Sequence, residues 1–306
     1  RNAVQEERRL RVDNQPYGKS NETLQSMAYD SFPYHHSVIG SMDDLNAASL
    51  DDIQEFFRIY YAPNNAVLVL TGDVDPAEAL TKVKKYFGDI PRQPNPPAVV
   101  IDEKFNKGER RQTLTDGLAR LPQYRAAYNI PAGNTPENYA LQVMASALSG
   151  GRSSRMFERL VRQKQLAQNV NMFVEARRGP SLVHIVATPR PGVKPEALEA
   201  AINEELDALK KDGITARELE KARTQYLRGQ VASRAGALQL ANRIASTVIY
   251  FNDPNLVNTQ VDKYNAVTAE QVKAVAEKYL VPANRSVVVT MPAPRGAAPS
   301  AAASMQ

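Results

Sequence analysis

Behind Ser49-Leu50-Asp51-Asp52, apolar residues fall at helical spacing over Ile53, Phe56, Phe57, Tyr60 and Tyr61, which predicts a capped amphipathic helix. Pro63-Asn64-Asn65 stops it, and Ala66-Val67-Leu68-Val69-Leu70 follows as an unbroken apolar run of strand length. Without alternation, that run predicts a strand buried on both faces. Upstream, Val4 to Val12 is highly charged with apolar positions at Val4, Leu10 and Val12, and reads as helix. Ser20-Asn21-Glu22 reads as the cap of a short helix through Met27 and Tyr29, followed by a loop over 30–34. Asp75-Pro76 opens another helix with Leu80, Val83 and Phe87 inward. Four prolines in the seven residues from Pro91 to Pro97 mark a linker. Beyond it, Gln112–Thr115 and Tyr124–Ile130 predict strands. Thr135-Pro136-Glu137 caps a long apolar helix that Gly150-Gly151 ends, and Ser153-Ser154 starts a second. Val170–Val174 and Leu182–Thr188 predict strands, then four helical segments between Lys194 and Tyr279, then a last strand at Val287–Met291. From Pro292 the chain is rich in Ala, Pro and Ser and predicts a mobile tail.

One unit recurs. Ser49 to Ile53 matches Thr268 to Val272 in character, and Tyr60, Pro63, Asn65, Val69 and Thr71 fall on Tyr279, Pro282, Asn284, Val288 and Thr290 at a constant offset of 219 residues. A capped helix, a Pro-Asn turn and a buried strand in one register indicate two copies of one α/β (α+β) unit. The second copy begins near Lys107, so the first is expected to lack roughly 110 residues at its start. The expected organisation is therefore residues 1–90 as the remainder of a first unit, 91–108 as linker, 109–293 as a second unit and 294–306 as a flexible tail.

Length and composition narrow the classes. A chain of 306 residues with 43% hydrophobic and 23% charged positions has room for two domains with their own cores. No apolar run approaches the roughly 18 residues of a membrane span. With no cysteine, disulfide scaffolds, thiolate zinc sites, iron–sulfur clusters and cysteine nucleophiles are excluded. The net charge of +5 is spread along the chain, so nothing forms the basic stripe that nucleic-acid binding needs. The chain opens on Arg rather than Met, as a segment of something longer would. Its tail and missing cysteines lean toward an exported or periplasmic bacterial protein.

The chemistry-bearing residues are few. His35 and His36 are adjacent in a loop and point opposite ways if extended, and His184 lies in an apolar strand where a packed histidine is expected. There is no nucleophile elbow, no phosphate loop, and neither H-E-x-x-H nor H-x-x-E-H. By inventory, no complete catalytic site is present.

Several ordered motifs do carry a resemblance. They are Pro33-Tyr34-His35, Val38-Ile39-Gly40-Ser41, Leu50-Asp51-Asp52-Ile53, Tyr60-Tyr61-Ala62-Pro63-Asn64-Asn65 and Gly72-Asp73-Val74-Asp75. In the second unit come Leu148-Ser149-Gly150-Gly151-Arg152-Ser153-Ser154-Arg155-Met156-Phe157, Leu160-Val161-Arg162 and Leu166-Ala167. Over Arg1 to Met291 the chain resembles the pitrilysin (insulinase-like) zinc metallopeptidases, processing-peptidase-like members included. The resemblance implies paired homologous halves facing each other across a peptide-holding chamber. It implies one zinc ion held by two histidines of an inverted His-x-x-Glu-His helix, whose Glu activates the zinc-bound water, and by a distal glutamate. The inverted motif is expected in the absent stretch. Val4-Gln5-Glu6-Glu7-Arg8 resembles the distal pattern and makes Glu7 the implied third ligand. The second half is implied to be a silent copy that grips peptide, with Arg162 as a substrate contact and Gly150 and Gly151 lining the chamber. The family tyrosine that accompanies the arginine is here Gln168, a departure that fits a divergent member or one working with a partner subunit in a homo- or heterodimer. The reading is the C-terminal portion of a zinc metalloendopeptidase, this chain alone being inactive and zinc-free. The alternative is a non-catalytic subunit or structural homologue that supports a partner peptidase.

Overall fold

A computed structural model describes residues 1–294. The notional tail thus lies almost wholly outside the described residues. Along the chain come α1 (Asn2–Arg8), continued by a π-helical turn over Arg9–Asp13, α2 (Gly18–Ala28), α3 (Phe32–His35), α4 (Met42–Ala47), α5 (Leu50–Tyr60) and α6 (Pro76–Phe87). There follow β1 (Arg110–Asp116), β2 (Gln123–Ile130), α7 (Pro136–Ser149), a π-helical segment Phe157–Gln163, β3 (Ala167–Glu175) and β4 (Ser181–Pro189). The chain then runs through α8 (Pro195–Asp212), α9 (Ala216–Arg234), α10 (Ala237–Phe251), α11 (Leu256–Asn265), α12 (Ala269–Tyr279) and β5 (Arg285–Pro292). Where the sequence suggested four helical segments after Lys194, there are five, because Gly236 and the left-handed Asn252 cut the stretch once more than its apolar periodicity indicates.

The chain divides into two compact units that interleave in sequence: one of Arg1–Met42, Ile101–Ala222 and the part from Val267 on, the other of Asp43–Val100 and Arg223–Ala266. The first is built on a sheet of order β1-β5-β2-β4-β3 in which β1 and β5 run parallel and the other neighbours antiparallel. Helix α2 lies against β5 and β2, with Leu24, Ala28 and Tyr29 packed on Ala127, Leu182 and Val288. Alternation along β4 turns Val183, Ile185 and Ala187 the opposite way, toward α7, α8 and α12. Both faces of the central strands are therefore covered.

Two local readings change in this light. Helix α2 starts at Gly18 behind a left-handed Tyr17, two residues before the expected cap. Ser20 is buried instead, its hydroxyl 2.6 Å from that of Thr290 on β5. The sequence 30–34, read as loop, closes into the single turn α3 over Pro33, whose fixed φ suits the first turn of a helix.

The repeat is visible bond by bond. Ser49 forms a capping box with Asp52 at the start of α5, and Thr268 does so with Gln271 at the start of α12. Both helices end at a residue with φ near −90° and ψ near +60°, Tyr61 (−99°, 66°) and Leu280 (−89°, 55°). Both are followed by a 3₁₀ turn, Pro63–Asn65 and Pro282–Asn284. In each turn the Asn amide donates to the last carbonyl of the helix, Asn65 Nδ2 to Tyr60 O and Asn284 Nδ2 to Tyr279 O, both at 2.9 Å. The surroundings differ completely. Val272, Val275, Ala276 and Tyr279 are between 0 and 4% exposed, whereas their counterparts Ile53, Phe56, Phe57 and Tyr60 are 38 to 52% exposed. After the turn β5 enters the sheet, but 66–71 pairs with no strand among the described residues, and Val67, Leu68 and Leu70 are exposed. The run expected to be buried on both faces has the composition of such a strand without its neighbours.

Candidate peptide-contact and metal residues

Glu7 projects from α1 into solvent, and its carboxylate accepts an ion-pair contact from Arg11 Nε at 3.1 Å. Its neighbour Glu6 pairs with Arg9. What anchors the helix is Arg8, which is buried. Its guanidinium donates to both Glu22 carboxylate oxygens at 2.8 and 3.0 Å and to the Gly40 carbonyl at 2.6 Å. Burial raises the Glu22 carboxyl, and the bonds from Arg8 and Ser37 outweigh it, so Glu22 stays below its ordinary range. No three His, Cys, Asp or Glu side chains among the described residues converge into a metal site. Glu7 is therefore one carboxylate engaged with an arginine, and this chain's described residues do not by themselves fit a zinc ion.

Arg162 sits in the π-helical segment, whose wider turn is closed by Lys164 N donating to Arg159 O at 2.8 Å. Such segments frequently mark functional positions. The Arg162 guanidinium donates to Glu158 at 2.9 Å, lies 5.7 Å from the Phe157 ring centre, and is half exposed. It is a cation held at the surface with donors to spare. Gly150 ends α7, its N–H bonded to Ser146 O at 2.7 Å. Gly151 takes φ +91°, a left-handed conformation that favours glycine and suits the end of the helix. Gln168, exposed near the start of β3, stands beside a register shift between Ala167 and Asn169.

Each histidine has a packing partner. His35 Nδ1 is 2.8 Å from Tyr29 O, and His36 Nδ1 is 3.0 Å from Ser37 O. His184 is buried in β4, stacked on Phe173 at 4.9 Å, with Nε2 2.9 Å from Glu175 Oε2. No local pattern signals this pairing, because it arises from the register that sets Phe173 opposite His184. The His184 bond, with help from Arg177, holds the Glu175 carboxyl down to about 2 against the effect of burial. Arg177 in turn lies over the rings of Tyr29 and Tyr34 at 5.0 and 4.7 Å. Tyr29 donates to Pro180 O and Tyr34 accepts from Gly179 N, both at 3.0 Å, so the β3–β4 loop is tied to α2 and α3.

Known sequences and solved folds are similar to this chain. The sequence model of the family described as Peptidase M16 inactive domain covers residues 47–226, more than half of the chain. The chain belongs to that family. The zinc protease PqqE of Helicobacter pylori is 28% identical over 294 residues, covering 95% of this chain and 66% of the relative. An uncharacterized zinc protease of Streptomyces coelicolor is 26% identical, over 79% of this chain and 54% of the relative. The chain thus spans between half and two thirds of the length of these curated relatives. Among solved structures, a protease from Helicobacter pylori superposes with a TM-score of 0.89 at 27% identity, covering 95% of this chain and 71% of that one. The M16 inactive domain from Pseudomonas fluorescens superposes at 0.82 with 18% identity, a likeness of fold. The pitrilysin-type resemblance and the mixed α/β class read from the residues are borne out. An M16 inactive domain also accounts for the missing histidine motif in α7.

Proposed function

We propose that this chain is the C-terminal portion of a zinc-dependent metalloendopeptidase, in which it supplies the silent half and the distal zinc ligand Glu7. One observation carries the reading: α5 and its turn are folded like α12 and its turn, yet their apolar face and the strand-like run 66–71 are bare. In the covered copy, α7, α8 and β2 fill those places. The counterparts of these elements belong upstream in the repeat, where the resemblance also puts the inverted histidine motif. Zinc, when bound there, would supply Lewis-acid polarisation of the peptide carbonyl. Arg162 contributes guanidinium donors to a peptide carbonyl or carboxylate, a role its free donors and half-exposed position suit. A cellular address outside the cytoplasm would agree with the absence of cysteine.

The rival reading, a non-catalytic subunit supporting a partner peptidase, is favoured by the engagement of Glu7 with Arg11. Metal analysis and cleavage of a quenched peptide by a protein that includes the upstream sequence separate the two. Glu7→Gln is expected to lower zinc content and activity together, and Arg162→Ala to keep zinc and lower turnover. Full zinc and activity in Glu7→Gln would overturn the ligand assignment. A longer protein that binds no zinc but accelerates a separate peptidase would establish the rival.

A further inference from the structure

The five-stranded sheet ends at β3, and an edge strand ordinarily offers its outward N–H and C=O groups to any extended peptide. At the centre of β3 those groups are already taken. Ser149 Oγ, in the last position of α7, accepts from Met172 N at 2.8 Å and donates to Met172 O at 2.8 Å. Its other acceptors lie farther off, Ala145 O at 3.3 Å and Asn171 Oδ1 at 3.4 Å, so its proton belongs to Met172. One hydroxyl thus makes the pair of bonds that a neighbouring strand would make. The alternation of antiparallel pairing fixes the direction: since Met172 gives both groups to Ser149, Asn171 and Phe173 are the residues that bond inward to Val186 and His184.

At its two ends the strand is irregular or gives way to bonded loop. The register shift between Ala167 and Asn169 breaks the ladder at one end, and Gly133 N donates to Arg177 O at 2.8 Å just past the other. The side chain of Met172 is buried, while Asn169, Asn171 and Phe173 on the other face are exposed. The surface beside β3 is thus open to contact by side chains while its central main-chain groups are taken.

We propose that Ser149 closes β3 to strand addition, so that a peptide reaching this half is met by side chains and not by a main-chain ladder. This goes beyond the proposed peptidase role and holds whether or not the chain belongs to an active enzyme. The test compares the 306-residue chain with its Ser149→Ala and Ser149→Thr variants, Thr keeping the hydroxyl. Amide exchange is measured at Met172, with Asn171 and Phe173 as inward-bonded controls. A labelled peptide with the sequence of residues 181–189, the natural neighbour of β3, serves as the probe strand. Ser149→Ala is expected to speed exchange at Met172 by at least about tenfold with the controls unchanged. It is also expected to gain binding of the probe, while the wild type and Ser149→Thr do neither. Unchanged exchange at Met172 overturns the proposal. Faster exchange without probe binding overturns it too, because something other than Ser149 would then close the edge. Equal binding by all three proteins would mean that the edge was never closed.

Discussion

Helix α5 with its following turn and helix α12 with its own are the same object placed in two environments. Their caps, terminal dihedrals and Asn-to-carbonyl bonds agree, and the 219-residue offset holds through each of them. Yet Tyr279 is buried with its hydroxyl bonded to Glu137 of α7 at 2.6 Å, while Tyr60 faces outward beside Phe56. Local geometry here is self-sufficient and burial is not. A capping box and a Pro-Asn turn close their hydrogen bonds within a few residues. A buried face requires partners from far along the chain.

The widest gap expected between the copies is in native-state amide exchange. Val287, Val288 and Val289 lie in a strand paired on both sides, whereas Val67, Leu68 and Val69 have no strand partner among the described residues. Exchange of the latter should be faster by on the order of a thousandfold, as core and locally opened amides commonly differ. Comparable protection in both runs would break the comparison, since it would require 66–71 to be covered as β5 is.

A smaller contrast lies in the turn asparagines. Asn284 is buried, donates to Asn129 O at 2.7 Å as well as to Tyr279 O, and accepts from Asn106 N at 3.2 Å. Asn284→Ala strands buried partners and should cost about 3 kcal/mol in denaturant unfolding. Asn65 makes the single bond to Tyr60 O at an exposed turn, and Asn65→Ala should cost about 0.5 kcal/mol. Equal losses would mean that the turn, not its surroundings, sets the energy.

The smallest expected contrast between the copies is in pH dependence. Burial tends to raise the Glu137 carboxyl, but the bonds from Lys278 and Tyr279 more than offset this and leave it below 4.5. A carboxyl depressed in the folded state adds stability above its unfolded value, and that stability is lost as pH falls through the folded one. Tyr279→Phe should therefore destabilise at neutral pH by less than about 1 kcal/mol, the carboxylate being partly exposed. The gap from wild type should narrow as pH drops below 4.5. Tyr60→Phe, with no such acid against it, should follow the wild type at every pH. A Tyr279→Phe gap that stays constant on acidification would detach Glu137 from the tyrosine.

Much of the architecture is legible before any coordinates. Thr135 and Pro136 announce α7, and the apolar runs announce β2, β4 and β5, because caps and strand composition are written in neighbouring residues. The implied site residues are less so. A sequence pattern points to Glu7, and only the fold reveals that its carboxylate is engaged by Arg11. A motif singles out Arg162, but its π-helical setting depends on how the segment after α7 packs. Ser20 resembles a cap because serine before a helix commonly is one. Its bond to Thr290, 270 residues away, has no local signature.

Residue identity alone encodes the repeat, the family, the caps and turns, and the absence of a complete catalytic inventory. All of these follow from residue identity at short range or at a fixed offset. Folding in three dimensions sets which copy is buried, that α2 lies on the sheet of the unit built around β5, that His184 meets Glu175, and that Ser149 bonds to the edge of β3. Each of these joins residues whose proximity is set by sheet register and helix placement, and such contacts are sums over distant partners that no local pattern encodes.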